Sequence, residues 1–245
     1  MNEQDIQIRA ADGVTDAVFL HPDGGGPCPG VLFYTDIGGI RDACRQSARR
    51  LADAGYAVLM PNVFYRTGRP PILSFRLNFA EERSRKRYAE LTGPLTPEAM
   101  ERDASAYVDE LAARKEVRQG AMAVVGYCFT GAMAVRTAAA RPDKIAVAAS
   151  FHGGGLFTDK PHSPHLVLPR VKSRLYFGHA MEDRSMPQEA VNHLNESLKA
   201  WGGKYESEVY DGAHHGWTTL DSAAYNQPQA ERAFMKLTLL LREAT

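Results

Sequence analysis

Residues 121–131 read AMAVVGYCFTG: five small or apolar residues, then Gly126, Cys128 and Gly131. A short apolar run closed by glycine is the pattern of a buried strand. A nucleophile between two flanking glycines marks a strained turn from strand to helix, where a Cβ at either flank would meet neighbouring backbone. Here the second glycine stands one place later than in the strict pattern, and Thr130 occupies the strict position. A helix starting at this turn aims its free N–H groups at Cys128, which favours thiolate over thiol. The Phe129 N–H is then an oxyanion donor. Taken alone, the turn fits a reactive cysteine and a small buried one equally well.

The surrounding chain repeats the same strand–turn–helix unit. VLFYT (31–35) and YAVLMPN (56–62) are continuous apolar runs on either side of RDACRQSARRLADAG, whose small and apolar residues recur at helical spacing up to Gly55. KIAVAAS, RLYFG and KYESEVY follow as further strands, and a last helix is expected from about 228 to 241. The N-terminal segment reads as a hairpin around Asp12-Gly13, and Gly24 to Gly26 as a surface loop. Thr96-Pro97 opens a helix, with Thr as cap and Pro in the first turn. This alternation predicts an α/β protein, a mostly parallel central sheet with helices on both faces, in one domain over 1–245. Residues 64–95 have Pro70-Pro71 and no steady period, so they are expected to form a lid or pocket-shaping excursion. Within them, Arg83 to Arg87 (RSRKR) reads as a solvated helix face.

Composition narrows the function. Twenty-nine basic and 29 acidic residues give a formal charge of +0, which argues against nucleic acid or an anionic membrane as partner. No apolar stretch approaches the ~18 residues of a membrane span. The N-terminus lacks the apolar segment of a signal peptide. Cys28, Cys44 and Cys128 are odd in number and widely spaced, as expected for reduced thiols in a cytoplasmic protein. No cofactor is implied. His162 and His165 lack accompanying carboxylates or cysteines, so no metal site is expected, and the glycines at 153–155 lack a nucleotide-binding spacing.

Ligands of such sheets bind at the carboxyl ends of the strands, and three strand ends here carry matching chemistry. Cys128 follows AMAVV, Asp183 follows RLYFG in HAMEDRSMP, and His214-His215 follow KYESEVY in DGAHHGW. Nucleophile, acid, histidine is the chain order of α/β-hydrolases. A histidine takes the thiol proton and returns it to the leaving group, while the carboxylate fixes the ring.

With these residues in place, the chain resembles the dienelactone hydrolases over nearly its whole length. GYCFTG is similar to the family's G-Y-C-M-G-G, YDGAHHGW to its Y-x-G-A-x-H-G-F, and GHAMEDRSMP and LADAGYAVLMPNVFYR also match. SFHGGGL with SPHL resembles one branch of the family. The resemblance implies an α/β-hydrolase fold and hydrolysis of a small ester or lactone through an acyl-enzyme. Cys128 would be the nucleophile, Asp183 the acid and His215, rather than His214, the base. Ile37 N–H falls where the second oxyanion donor is expected. Asp36 stands where the family has a glutamate that meets the resting thiol; capping of the following helix is the simpler alternative.

The family also holds a substrate carboxylate with arginines, one of them four residues after the histidine, where this chain has Thr219. Arg41 and Arg66 are the candidates to replace it. His152 is expected at the rim, touching substrate or backbone, and Tyr127 and Trp217 in the pocket or core. Competing readings are a thioesterase or peptidase on the same three residues, or a ligand-binding module with the hydrolase fold. A monomer or a homodimer fits equally.

Overall fold

The computed structural model describes residues 1–24 and 26–244. Gly25, in the expected Gly24–Gly26 loop, and Thr245 lie outside the described residues. Strands β1 (Asn2–Ala10) and β2 (Gly13–His21) form the N-terminal hairpin, paired in register from Asn2 opposite His21 to Ala10 opposite Gly13. The turn is left through Gly13 at φ 151°, a conformation open to glycine. The next strands are β3 (Gly30–Tyr34), β4 (Ala57–Pro61), β5 (Met122–Tyr127), β6 (Ile145–Phe151), β7 (Arg174–Ala180) and β8 (Tyr205–Tyr210). Their order across the sheet is β1-β2-β4-β3-β5-β6-β7-β8, with β2 antiparallel to β1 and β4 and every other pairing parallel.

Two cores sandwich this sheet, and the period-two alternation of each strand feeds both. On β5, Val124 faces the core formed with helices α3 (Pro97–Ala113), α4 (Gly131–Ala140) and α5 (Gln188–Trp201). Ala123 and Val125 face the core formed with α1 (Asp42–Asp53) and α6 (Gln227–Ala244). Burying each of these valines is worth ~1.5–3 kcal/mol. The caps follow the sequence: Thr96 Oγ1 accepts the Ala99 N–H at 3.2 Å to start α3, and Gly55, at φ 100°, follows the end of α1.

The 64–95 segment differs from a wholly irregular excursion, because Glu82–Thr92 form helix α2. Only Ser84 and Leu91 of that helix are buried, so its sequence carries almost no apolar stripe for the eye to find. Among the described residues, no helix is long and apolar enough to cross a membrane.

Candidate functional site

The strand–helix turn after β5 is held by three close approaches. A Cβ on Gly126 would lie 2.2 Å from the Thr130 carbonyl oxygen. One on Gly131 would lie 2.3 Å from Ser150 Oγ and 2.9 Å from Gly153 Cα. The late glycine therefore serves contact with β6, whereas position 130 has a different task. Thr130 Oγ1 accepts the Tyr127 N–H at 3.0 Å and donates to the Thr35 carbonyl at 2.8 Å, tying the turn to the end of β3. Between these ties Cys128 is driven to φ 58°, the left-handed region that a side chain rarely adopts.

Three loops at the carboxyl edge of the sheet bring the expected trio together. His215 Nε2 lies 3.1 Å from Cys128 Sγ, and its Nδ1 lies 2.6 Å from Asp183 Oδ2. With Nδ1–H donating to the carboxylate, Nε2 is left facing the sulfur. Asp183 Oδ1 accepts from the Ser185 N–H at 2.8 Å and the Ser185 hydroxyl at 2.6 Å. Burial opposes charge on both members of the pair, yet their mutual hydrogen bond prevails. His215 is pushed up to about 10 by Asp183 and the Cys128 sulfur, and Asp183 is held below its ordinary range by His215 and Ser185. His214 is exposed and has no part in this arrangement.

The Phe129 N–H is second in the one-turn helix Cys128–Thr130, so it has no acceptor within that turn. Ile37 follows Asp36 in the β3–α1 loop, and its N–H has no partner among the described residues.

Other expected residues fall elsewhere. His152 is buried beneath the turn rather than at its rim, and its Nδ1 accepts the Cys128 N–H at 3.1 Å. Its Nε2 therefore carries the proton, and it donates to Thr218 Oγ1 at 2.8 Å. Burial, with the nearby charge of His215, holds His152 well below the ordinary histidine range, so the ring is neutral. Trp217 is fully buried core, edge-on to His152 at 5.1 Å. The Tyr127 ring lies between Phe33 and Phe151, at 5.1 and 5.7 Å.

Asp36 does not cap α1: its Oδ1 accepts the Gly38 N–H at 2.9 Å, and Arg41 grips it with bonds of 2.6 and 2.8 Å. Arg41 also holds Asp221 through bonds of 2.7 and 2.9 Å. Arg66 likewise bridges Asp12 and the fully buried Asp103, each at 2.6 Å. Both arginines expected to read a substrate carboxylate are thus each neutralised by two carboxylates of the chain itself.

Residues that the sequence did not single out complete the surroundings. Tyr88 of α2 stands edge-on to Phe129 with ring centroids 6.2 Å apart, and Phe79 packs on Tyr88 at 5.4 Å. Burial and the neighbouring Cys128 sulfur raise the Tyr88 phenol above its ordinary value. An aromatic in a segment without periodicity gives no signal of its own; neither does Thr218, whose partner His152 is 66 positions away, whereas Ser185 stands two residues from Asp183.

Comparison with known proteins identifies the family. The model of the dienelactone hydrolase family matches residues 15–245. A carboxymethylenebutenolidase of Rhodococcus opacus is 27% identical, with 86% of this chain and 79% of that protein covered. Another, of Pseudomonas putida, is 24% identical over 92% of this chain and 90% of its own. Among solved structures, a dienelactone hydrolase-like promiscuous phosphotriesterase from metagenomic libraries superposes with a TM-score of 0.80 at 21% identity, covering 99% and 98% of the two chains. The acylaminoacyl peptidase of Pyrococcus horikoshii shares the fold with a TM-score of 0.73 at 12% identity, over 99% of this chain and 42% of the other. The chain belongs to the dienelactone hydrolase family.

Proposed function

We propose that the protein hydrolyses a small carboxylic ester or lactone through a thioester formed on Cys128. The observation that carries this reading is the line from Asp183 Oδ2 through His215 to Cys128 Sγ, with links of 2.6 and 3.1 Å, at a residue held in a strained turn. The sulfur, its proton passed to His215 Nε2, attacks the substrate carbonyl carbon. The Sγ–C bond forms as the carbonyl π pair moves onto oxygen, where the Phe129 and Ile37 N–H groups receive the negative charge. As that pair returns, the C–O bond to the leaving group breaks, and His215 gives its proton to the departing alkoxide. Water then attacks the thioester, surrenders a proton to His215, and the thiolate leaves. Asp183 keeps the imidazole in the required tautomer throughout.

The acyl group that suits this site is uncharged. Arg41 and Arg66 are each matched by two carboxylates, Thr219 carries no charge, and Tyr88, which stands edge-on to Phe129, is a neighbour of the Cys128 sulfur. These features support an aromatic or apolar acyl group over a dicarboxylate-like lactone. A panel of aryl esters, neutral and anionic lactones, thioesters and peptides, assayed with wild type and Cys128→Ala, tests the reading. Neutral esters or lactones should be turned over by wild type alone. Equal rates for the two proteins, or turnover confined to peptides, would overturn it.

A further inference from the structure

The Ile37 N–H belongs to the tight turn Asp36-Ile37-Gly38-Gly39 that follows β3. The Gly39 N–H closes this turn by donating to the Asp36 carbonyl at 3.0 Å. In a trans peptide the carbonyl and the N–H point to opposite sides. Holding the Asp36 carbonyl inward therefore turns the Ile37 N–H, on the same peptide, away from the turn. The preceding peptide is fixed as well, because the Thr35 carbonyl accepts Thr130 Oγ1 at 2.8 Å from the turn at Cys128.

The Asp36 carboxylate braces this turn, and Arg41 braces the carboxylate. Asp36 Oδ1 accepts the Gly38 N–H at 2.9 Å and Arg41 Nη1 at 2.6 Å, while Oδ2 accepts Arg41 Nη2 at 2.8 Å. Arg41 Nη1 also reaches the Gly39 carbonyl at 3.2 Å. The guanidinium sits so close that a Cβ on Gly38 would lie 2.5 Å from Nη1. On the far side Gly39, at φ 70°, backs onto Ile72, where a Cβ would lie 2.8 Å from Ile72 Cγ1.

A second edge of the same guanidinium anchors the assembly to the histidine loop. Arg41 Nε and Nη2 donate to Asp221 at 2.7 and 2.9 Å. Asp221 and His215 share one run of turns, closed by Trp217 N–H to the His214 carbonyl at 3.0 Å, Thr219 N–H to Gly216 at 3.0 Å and Ser222 N–H to Thr219 at 2.9 Å. A planar fork bonded along two edges is held in one orientation, which a flexible ammonium could not reproduce.

We propose that Arg41 is a positioning residue for acyl transfer: by bridging Asp36 and Asp221 it fixes the Ile37 N–H where the substrate oxygen gains its charge. This rests on the thioester mechanism proposed above. The effect is one of geometry, since all three guanidinium nitrogens are engaged within the chain. Asp221, with its side chain 50% exposed, has its charge screened by water.

A misplaced donor costs rate rather than affinity, because the charge develops only in the transition state. Arg41→Ala and Asp221→Ala, each checked by a melting curve, would be assayed with an aryl ester, with its thionoester (C=S in place of C=O) and with iodoacetamide. For the ester, kcat should fall about 10–100-fold in Arg41→Ala and about three- to tenfold in Asp221→Ala, with KM within about twofold of wild type. Sulfur accepts N–H hydrogen bonds weakly, so the thionoester should lose less and the ester-to-thionoester rate ratio should shrink. His215 keeps its own 2.6 Å tie to Asp183, and alkylation places no charge on a carbonyl oxygen. The rate of Cys128 alkylation by iodoacetamide should therefore stay at its wild-type value. Unchanged kcat in folded Arg41→Ala, a change confined to KM, or alkylation falling in step with ester turnover would overturn the proposal. If Arg41→Ala does not fold, a wild-type kcat and rate ratio in Asp221→Ala would overturn it. Full activity of Cys128→Ala would overturn the thioester mechanism as well, whereas an inactive Cys128→Ala beside an Arg41→Ala of wild-type kcat would overturn the role of Arg41 alone.

Discussion

The Nδ1 atom of the buried, neutral His152 accepts the backbone N–H of Cys128 at 3.1 Å. A residue at φ 58° has its amide turned out of any regular ladder, and this ring is what satisfies it. On the proposed mechanism this relation would make His152 a positioning residue for Cys128, and the choice of substituent can separate that role from packing. His152→Leu keeps bulk but strands the amide, at a cost of about 1–3 kcal/mol. We expect kcat and the rate of Cys128 alkylation to fall about tenfold or more. His152→Asn places an acceptor oxygen where Nδ1 stood and should recover most of both rates. Equal loss in the two variants would assign His152 to packing alone.

The pH profile should carry the signature of His215. Its pKa is pushed up to about 10 from 6.5, so the imidazolium form is favoured across neutral pH and is lost only as pH rises toward 10. The associated stability is complete below pH 6.5 and declines over that same alkaline window. The alkaline limb of kcat/KM is therefore expected near pH 10, well above that of an ordinary histidine. Asp183→Asn removes a hydrogen bond and a charge that hold the proton, so the limb should move toward lower pH. Its kcat should drop about 10²–10⁴-fold, by analogy with loss of the acid in a serine triad. A limb that stays in place in this variant would contradict the assignment.

Gly131 is required by contact with β6 rather than by turn geometry. Gly131→Ala would set a Cβ 2.3 Å from Ser150 Oγ and 2.9 Å from Gly153 Cα. A loss of about 1–3 kcal/mol in chemical denaturation is expected. Adding Ser150→Ala removes the first contact and leaves the backbone one, so it should restore part of the loss. Strict additivity of the two substitutions would contradict this account.

We expect Arg66 to serve the scaffold, since it pairs with Asp12 and Asp103. Arg66→Ala leaves the fully buried Asp103 carboxylate without its 2.6 Å partner, and removal of one member of such a pair costs about 3 kcal/mol or more. We expect a marked fall in melting temperature with KM for a neutral ester unchanged at a temperature where the variant is folded. A raised KM with unchanged stability would return Arg66 to the substrate.

Sequence reading reached the sheet, the strand–helix turn at Cys128 and the loops bearing Asp183 and His215 because each rests on local, repeated constraints. Apolar runs such as AMAVV must be buried, and Gly126 and Gly131 must lack side chains where backbone or β6 crowds them. Only the solvated face Arg83 to Arg87 of helix α2 was legible; its extent over Glu82–Thr92 was not, because Ser84 and Leu91 are its sole buried side chains. The burial of His152 escaped because its partners, the Cys128 amide and Thr218, are brought in by other loops. Arg41 and Arg66 were legible as cations but not as paired ones. Asp221 lies 180 positions from Arg41, and no local pattern announces that contact.

The thioester on Cys128 is the central claim, and mass spectrometry of the acid-quenched protein tests it most directly. During turnover of a slowly deacylated aryl ester, the intact mass should rise by one acyl group, carried by the peptide containing Cys128 and discharged by hydroxylamine. Cys128→Ala should show neither the adduct nor the activity. Full turnover by Cys128→Ala, or an acyl group found only on another residue, would contradict the account.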